Sequence, residues 1–183
     1  GAASGASYVV FGGEFSGAFD LGALNGDNGF RLVGAAAGDN AAFVAGVGDI
    51  NGDGYGDLVV GAPRHQGDAA GSGSSYVVFG KADGFTTDLD LGSLGGADGF
   101  RIDGVALNDQ SGYSVSSAGD VNGDGLNDLL IGAGYADPQG AESGAAYVVF
   151  GKSTGFTASL SLATLAADSG FRGENNRVGL RIA

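Results

Sequence analysis

The chain has 183 residues and a net charge of −13, so its surface repels nucleic acid and anionic membranes. Cysteine and methionine are absent and His65 is the single histidine, which starves nucleophilic and zinc-hydrolase chemistry of parts. Glycine reaches 39 residues without an every-third period, and no apolar run is long enough to span a bilayer as a helix.

Residues 7–12 form the first strand-like run and contain Tyr8-Val-Val-Phe-Gly12. A connector anchored by Phe15, Phe19, Leu21 and Leu24 leads to a second run, Gly29-Phe-Arg31. Residues 43–47 read as a strand, followed by Asp49-Ile-Asn-Gly-Asp-Gly-Tyr-Gly-Asp57. The branched apolar run Leu58-Val-Val-Gly-Ala62 then reads as a buried strand. From there the order returns. Tyr76-Val-Val-Phe-Gly80 precedes a connector with Phe85, Leu89, Leu91 and Leu94, and then Gly99-Phe-Arg101. Residues 113–118 repeat 43–47, Asp120-Val-Asn-Gly-Asp-Gly-Leu-Asn-Asp128 repeats the acidic stretch, and Leu129-Leu-Ile-Gly-Ala133 follows it. Tyr147-Val-Val-Phe-Gly151, a third connector (Phe156, Leu160, Leu162, Leu165) and Gly170-Phe-Arg172 complete the series. Residues 177–183 align with 112–118.

A period of about 70 residues with four strands per unit and glycine-rich turns implies an all-β fold of propeller blades, each of four antiparallel strands. The phase divides the chain into half a blade (1–34), two complete blades (35–104 and 105–174) and the first strand of another (175–183). This is an incomplete set of about two and a half to three blades, expected of a fragment of a longer propeller.

Both nine-residue stretches place oxygen-bearing side chains at positions 1, 3, 5 and 9 and glycines at 4 and 6. Asp49, Asn51, Asp53 and Asp57 would turn their oxygens inward with the backbone carbonyl of Tyr55. The second set is Asp120, Asn122, Asp124 and Asp128 with the carbonyl of Leu126. Hard oxygen donors on a flexible glycine loop suit calcium, one ion per loop. At ~4–5 Å and an effective dielectric of ~20, each carboxylate pair repels by roughly 3–4 kcal/mol, which a cation would remove. A plain Asp/Asn/Gly turn is the alternative, but duplication with every donor position kept favours metal. EF-hand and dockerin loops begin alike but need a carboxylate at position 12, where Val60 and Ile131 stand.

The order strand, G-D-x-N-G-D-G-x-x-D, strand, Gly61-Ala-Pro63 resembles the FG-GAP repeat of integrin alpha-subunit propellers and their bacterial relatives. Gly132-Ala-Gly134 departs from it in the second copy, as do Asn40-Ala41 and Ser111-Gly112 at the expected Phe-Gly pair. The resemblance implies a cation loop between the first two strands of a blade, on the rim opposite the usual ligand face. It implies a calcium-binding segment of a large secreted or cell-surface protein with a structural or adhesive role. The alternative is an accessory or catalytic propeller of an extracellular carbohydrate-active enzyme. The chain itself is expected to be non-catalytic, with an unidentified protein or glycan ligand, further blades of the parent as neighbours, and no nucleic acid or membrane insertion. His65 is expected to be an exposed loop side chain. The Gly-Phe-Arg arginines (Arg31, Arg101, Arg172) are expected to make blade-to-blade hydrogen bonds in preference to a ladder for acidic polysaccharide.

Overall fold

A computed structural model describes residues 4–14, 17–138 and 140–174. In chain order the strands are β1 (Ala6–Val10), β2 (Gly29–Val33), β3 (Phe43–Gly48), β4 (Asp57–Ala62), β5 (Ser74–Val78), β6 (Asp88–Asp90), β7 (Gly99–Asp103), β8 (Ser111–Gly119), β9 (Asp128–Ala133), β10 (Ala145–Val149), β11 (Ser159–Ser161) and β12 (Gly170–Glu174). Two antiparallel meanders, β3-β4-β5-β7 and β8-β9-β10-β12, are the four-stranded blades. The pair β1-β2 repeats the register of the outer pairs, with Tyr8 opposite Arg31 as Tyr76 is opposite Arg101 and Tyr147 opposite Arg172. Phe15 and the strand expected in 175–183 lie outside the described residues.

Successive side chains of a strand point to opposite faces, and here both faces are apolar. Val59 and Val77 enter one cluster with Phe100, Leu129, Ile131 and Tyr147. Their neighbours Val60, Tyr76 and Val78 enter the other, with Phe30 and Leu32. The core therefore lies in the seams between sheets, and the tyrosines of the repeated Tyr-Val-Val-Phe are buried in both complete blades.

The connectors do more than pack. β6 belongs by sequence to the unit 35–104, yet it pairs in parallel with β2 of the preceding sheet. Likewise β11 pairs in parallel with β7. Just ahead of each short strand a phenylalanine stacks on the preceding Gly-Phe-Arg: Phe85 on Phe30 at 4.0 Å and Phe156 on Phe100 at 4.6 Å between ring centroids. Lys81 and Lys152 lie over the outer rings. A 3-10 turn follows each strand and buries Leu91 or Leu162. The sheets that end in β2 and β7 are thus clasped along their outer strands by the next unit.

The recurrent glycine ahead of Phe-Arg has a steric cause. A Cβ on Gly29, Gly99 or Gly170 would sit 2.1–2.2 Å from the carbonyl oxygen of Val9, Val77 or Val148 on the paired strand.

Of the three arginines, Arg31 makes the expected contact between units, a bidentate pair with Asp88 on the clasping strand. Arg101 does not. The register puts Ser159 where Asp88 stood, and the guanidinium turns to Asp103 on its own strand at 2.8 Å. The Arg172 guanidinium lies over the Tyr147 ring.

The clasp makes a quantitative prediction. Leu91 and Leu162 are 1% and 4% exposed, whereas the equivalent Leu21 is 44% exposed. Leu91→Ala and Leu162→Ala should each cost about 2–5 kcal/mol. Leu21→Ala should cost under about 1 kcal/mol. Urea denaturation of the three variants checks this; equal losses at all three positions would refute the clasp.

Candidate metal centres

Both acidic stretches lie where an inner strand turns back on its neighbour, between β3 and β4 and between β8 and β9. Gly52, Gly54, Gly123 and Gly125 all have positive φ, from 76° to 90°, a backbone that most L-residues avoid. That wrap turns the amides inward, and the acidic side chains accept from them. Asp49 Oδ1 accepts from the amides of Gly52 and Asp53, and Oδ2 from Gly54 at 2.8 Å. Asn51 accepts from the Asp53 amide and donates its own Nδ2 to Asp53 Oδ2 at 2.9 Å. Asp53 Oδ1 accepts from the Tyr55 amide. The second loop repeats every one of these bonds with Asp120, Asn122, Asp124 and the Leu126 amide.

The ninth position differs in kind. Asp57 and Asp128 are buried at the start of β4 and β9. Asp57 accepts from the amides of Ile50 and Gly80, both at 2.8 Å. Asp128 accepts from Val121 and Gly151. Each closes its loop and ties it to the end of the third strand of the blade. Burial pushes the Asp57 carboxyl up to about 6; the charges of Asp53 and Asp49 add to the rise, and the Gly80 and Ile50 amides oppose it. Among the described residues, no three His, Cys, Asp or Glu side chains converge as a group that could hold a metal. The donors of each loop are three carboxylates, one amide oxygen and backbone carbonyls. This all-oxygen chemistry fits a hard divalent cation and gives nothing to a soft one.

Hydrogen bonds join the two loops. Asn127, at position 8 of the second, accepts the Asp49 amide on Oδ1 at 3.2 Å and donates its own amide to the Asp49 carbonyl at 3.0 Å. The first loop has Gly56 at that position, so sequence comparison of the copies gave no signal for it.

His65 is not the exposed loop residue expected. Its side chain is 12% exposed, and Nδ1 lies 2.9 Å from buried Asp39 and 3.3 Å from Tyr76 Oη. Burial, with the charge of Asp39 behind it, pushes the Tyr76 phenol upward, so it is no nucleophile near neutral pH. At the strand ends remote from the acidic loops, Phe43, Tyr113 and Tyr135 form a partly exposed aromatic group with centroids 5.3 and 6.0 Å apart. Sequence reading did not single it out.

Residues 41–78 and 111–149, each spanning an inner strand, an acidic loop and the two strands after it, match the family model of the FG-GAP repeat. The chain carries FG-GAP repeats. It is similar to integrin alpha-PS2 of Drosophila melanogaster, 29% identical over 149 residues, which are 79% of this chain and 10% of that protein. Human integrin alpha-IIb is 34% identical over 107 residues, 58% of this chain and 10% of its own length. The phosphatidylinositol-glycan-specific phospholipase D of Mus musculus is 36% identical over 110 residues, 58% of this chain and 12% of its own length. The chain therefore spans about a tenth of the length of these relatives. Relatives of the FG-GAP segments thus include both integrin alpha subunits and an enzyme.

The loop bonds separate the buried carboxylate from the exposed one. With chelator present, Asp57→Ala strands two inward amides and should cost about 1–3 kcal/mol. Asp53→Ala removes an exposed acceptor and should stay within about 1 kcal/mol of the unaltered protein. Thermal unfolding in chelator checks the order; the reverse order would refute the structural role of position 9.

Proposed function

We propose that this chain is a calcium-binding segment of an FG-GAP propeller in a large secreted or cell-surface protein, with a structural or adhesive role. The observation that carries the reading is the duplicated loop. Two stretches with different residues at positions 2, 7 and 8 keep the same oxygen donors and the same inward hydrogen bonds. Asp49, Asn51, Asp53, Asp57 and the Tyr55 carbonyl would hold one ion. Asp120, Asn122, Asp124, Asp128 and the Leu126 carbonyl would hold the other. The ion would neutralise the crowded carboxylates and fix the turn between the first two strands of each blade. Two calcium ions would reduce the net charge to about −9. Sites of this kind fill where calcium is abundant, which favours an extracellular setting.

The chain itself is proposed to bind and not to catalyse. Its ligand would be a protein or glycan, and the exposed aromatic group of Phe43, Tyr113 and Tyr135 is one surface that supports such a role. The phospholipase relatives favour a second reading, in which the segment accompanies a catalytic domain of the parent protein. They lend no support to a carbohydrate-active parent in particular.

Isothermal titration of chelator-treated protein should show two calcium ions per chain, bound more tightly than magnesium. At a hundredfold excess over Kd, each site should stabilise the fold by about 2.7 kcal/mol. Asp53→Ala and Asp124→Ala should each remove one site and its share. A stoichiometry near zero, or a thermal midpoint indifferent to chelator, would overturn the proposal.

A further inference from the structure

The two acidic loops touch, and the bridges between them are made by the same residues that would hold the ions, or by their direct neighbours. Asn127 stands between two candidate donors of the second loop, the Leu126 carbonyl and Asp128. Its side chain accepts the amide of Asp49, the first donor of the other loop, and its own amide donates to the Asp49 carbonyl. One residue of the second loop thus holds both main-chain groups of Asp49.

A second bridge runs through the end of the third strand. Asp128 accepts the Gly151 amide at 2.9 Å, and the next amide, that of Lys152, donates to the Ile50 carbonyl at 2.9 Å. The Ile50 amide donates in turn to Asp57 at 2.8 Å. Position 9 of one loop is therefore linked to position 9 of the other through Ile50, Lys152 and Gly151. The join is close-packed. A Cβ on Gly48 would lie 2.4 Å from Asn127 Oδ1, and one on Gly151 would lie 2.8 Å from the Ile50 carbonyl oxygen.

Residues 49–50 and 126–128 cannot shift apart without breaking these bonds. An ion that orders one loop therefore fixes a segment that the other loop must also order, and the second ion meets a smaller ordering cost. We infer, resting on the reading of these loops as calcium sites, that the two sites are positively coupled. Calcium at either loop raises the affinity of the other, through Asn127 and through the path Asp128, Gly151, Lys152, Ile50. The opposing effect is Coulombic, since a filled loop attracts a second cation less than a metal-free one does. Salt screens that effect, with a Debye length of about 8 Å at 0.15 M.

Calorimetric titration of the chelator-treated whole chain at about that salt concentration tests the inference. Asp53→Ala and Asp124→Ala isolate the second and the first site, and neither residue takes part in the bridges. Each site should bind calcium at least about fivefold more weakly alone than beside a filled neighbour, by the same factor in both directions. Asn127→Gly puts at position 8 the residue that the first loop carries there, Gly56. It should keep two ions bound and cut the factor at least about threefold, as expected of one lost hydrogen bond. Hydrogen exchange gives a readout apart from affinity. In Asp53→Ala, calcium at the second loop alone should slow exchange of the Asp49 and Lys152 amides at least about fivefold. Two ions bound independently or with opposing effects, a factor untouched by Asn127→Gly, or amides indifferent to the neighbouring ion would overturn the inference and leave the calcium reading standing. A chain that binds no calcium would overturn both.

Discussion

A blade of this repeat has two apolar faces and can bury neither within itself. Strand alternation sends Val59 and Val77 to one side and Val60, Tyr76 and Val78 to the other. Neither face has a partner inside the sheet, so stability resides in the seams between sheets. A fully buried aliphatic side chain contributes about 1.5–3 kcal/mol, and each seam gathers several from both neighbours. Much else in the structure serves that contact. Glycine precedes Phe-Arg because paired backbones approach too closely for a Cβ. Phenylalanines stack from one unit onto the last, and a parallel strand fastens the outer edges of β2 and β7.

The acidic loops obey a second constraint, the cost of crowding negative charge. The chain offsets part of it locally: glycines in left-handed conformations aim amides at Asp49 and Asp120, and strand-end amides meet Asp57 and Asp128. The exposed carboxylates and the buried one therefore do different work. Those at positions 1 and 5 organise the turn, while that at position 9 anchors it to the sheet, and at Asp57 burial raises the pKa of the carboxyl. The Asn127 bridge ties the second turn to the first through Asp49.

Much of this was legible in the sequence because two signals agreed. Short apolar runs gave the strands, and their return about every 70 residues gave the blade. The clasp strands were not legible: Asp88-Leu-Asp90 and Ser159-Leu-Ser161 are three residues long and mostly polar. They become strands because tertiary packing sets them beside another unit's edge, which no local pattern encodes. Arg31 and Arg101 share a motif yet choose different acids, because the deciding residue, Asp88 or Ser159, sits 57 or 58 positions further on. His65 misled for a similar reason. A lone histidine after Gly-Ala-Pro reads as solvent-facing until Asp39, 26 residues earlier, is brought beside it. In the loops, the repeated acidic positions were plain in the sequence, but the tie through Asn127 depends on a position where the copies differ.

The parallel clasp also imposes an order in time. The residues that close the edge at Arg31 are encoded 57 positions later. At a synthesis rate of about 5–20 residues per second, each new blade leaves the ribosome with its outer phenylalanine bare for about 3–11 seconds. Folding of the nascent chain is then a relay, in which every unit waits on its successor and an exposed aromatic edge travels along the growing polypeptide. Chaperones that recognise such edges would meet the same motif once per repeat, at an interval set by the repeat length.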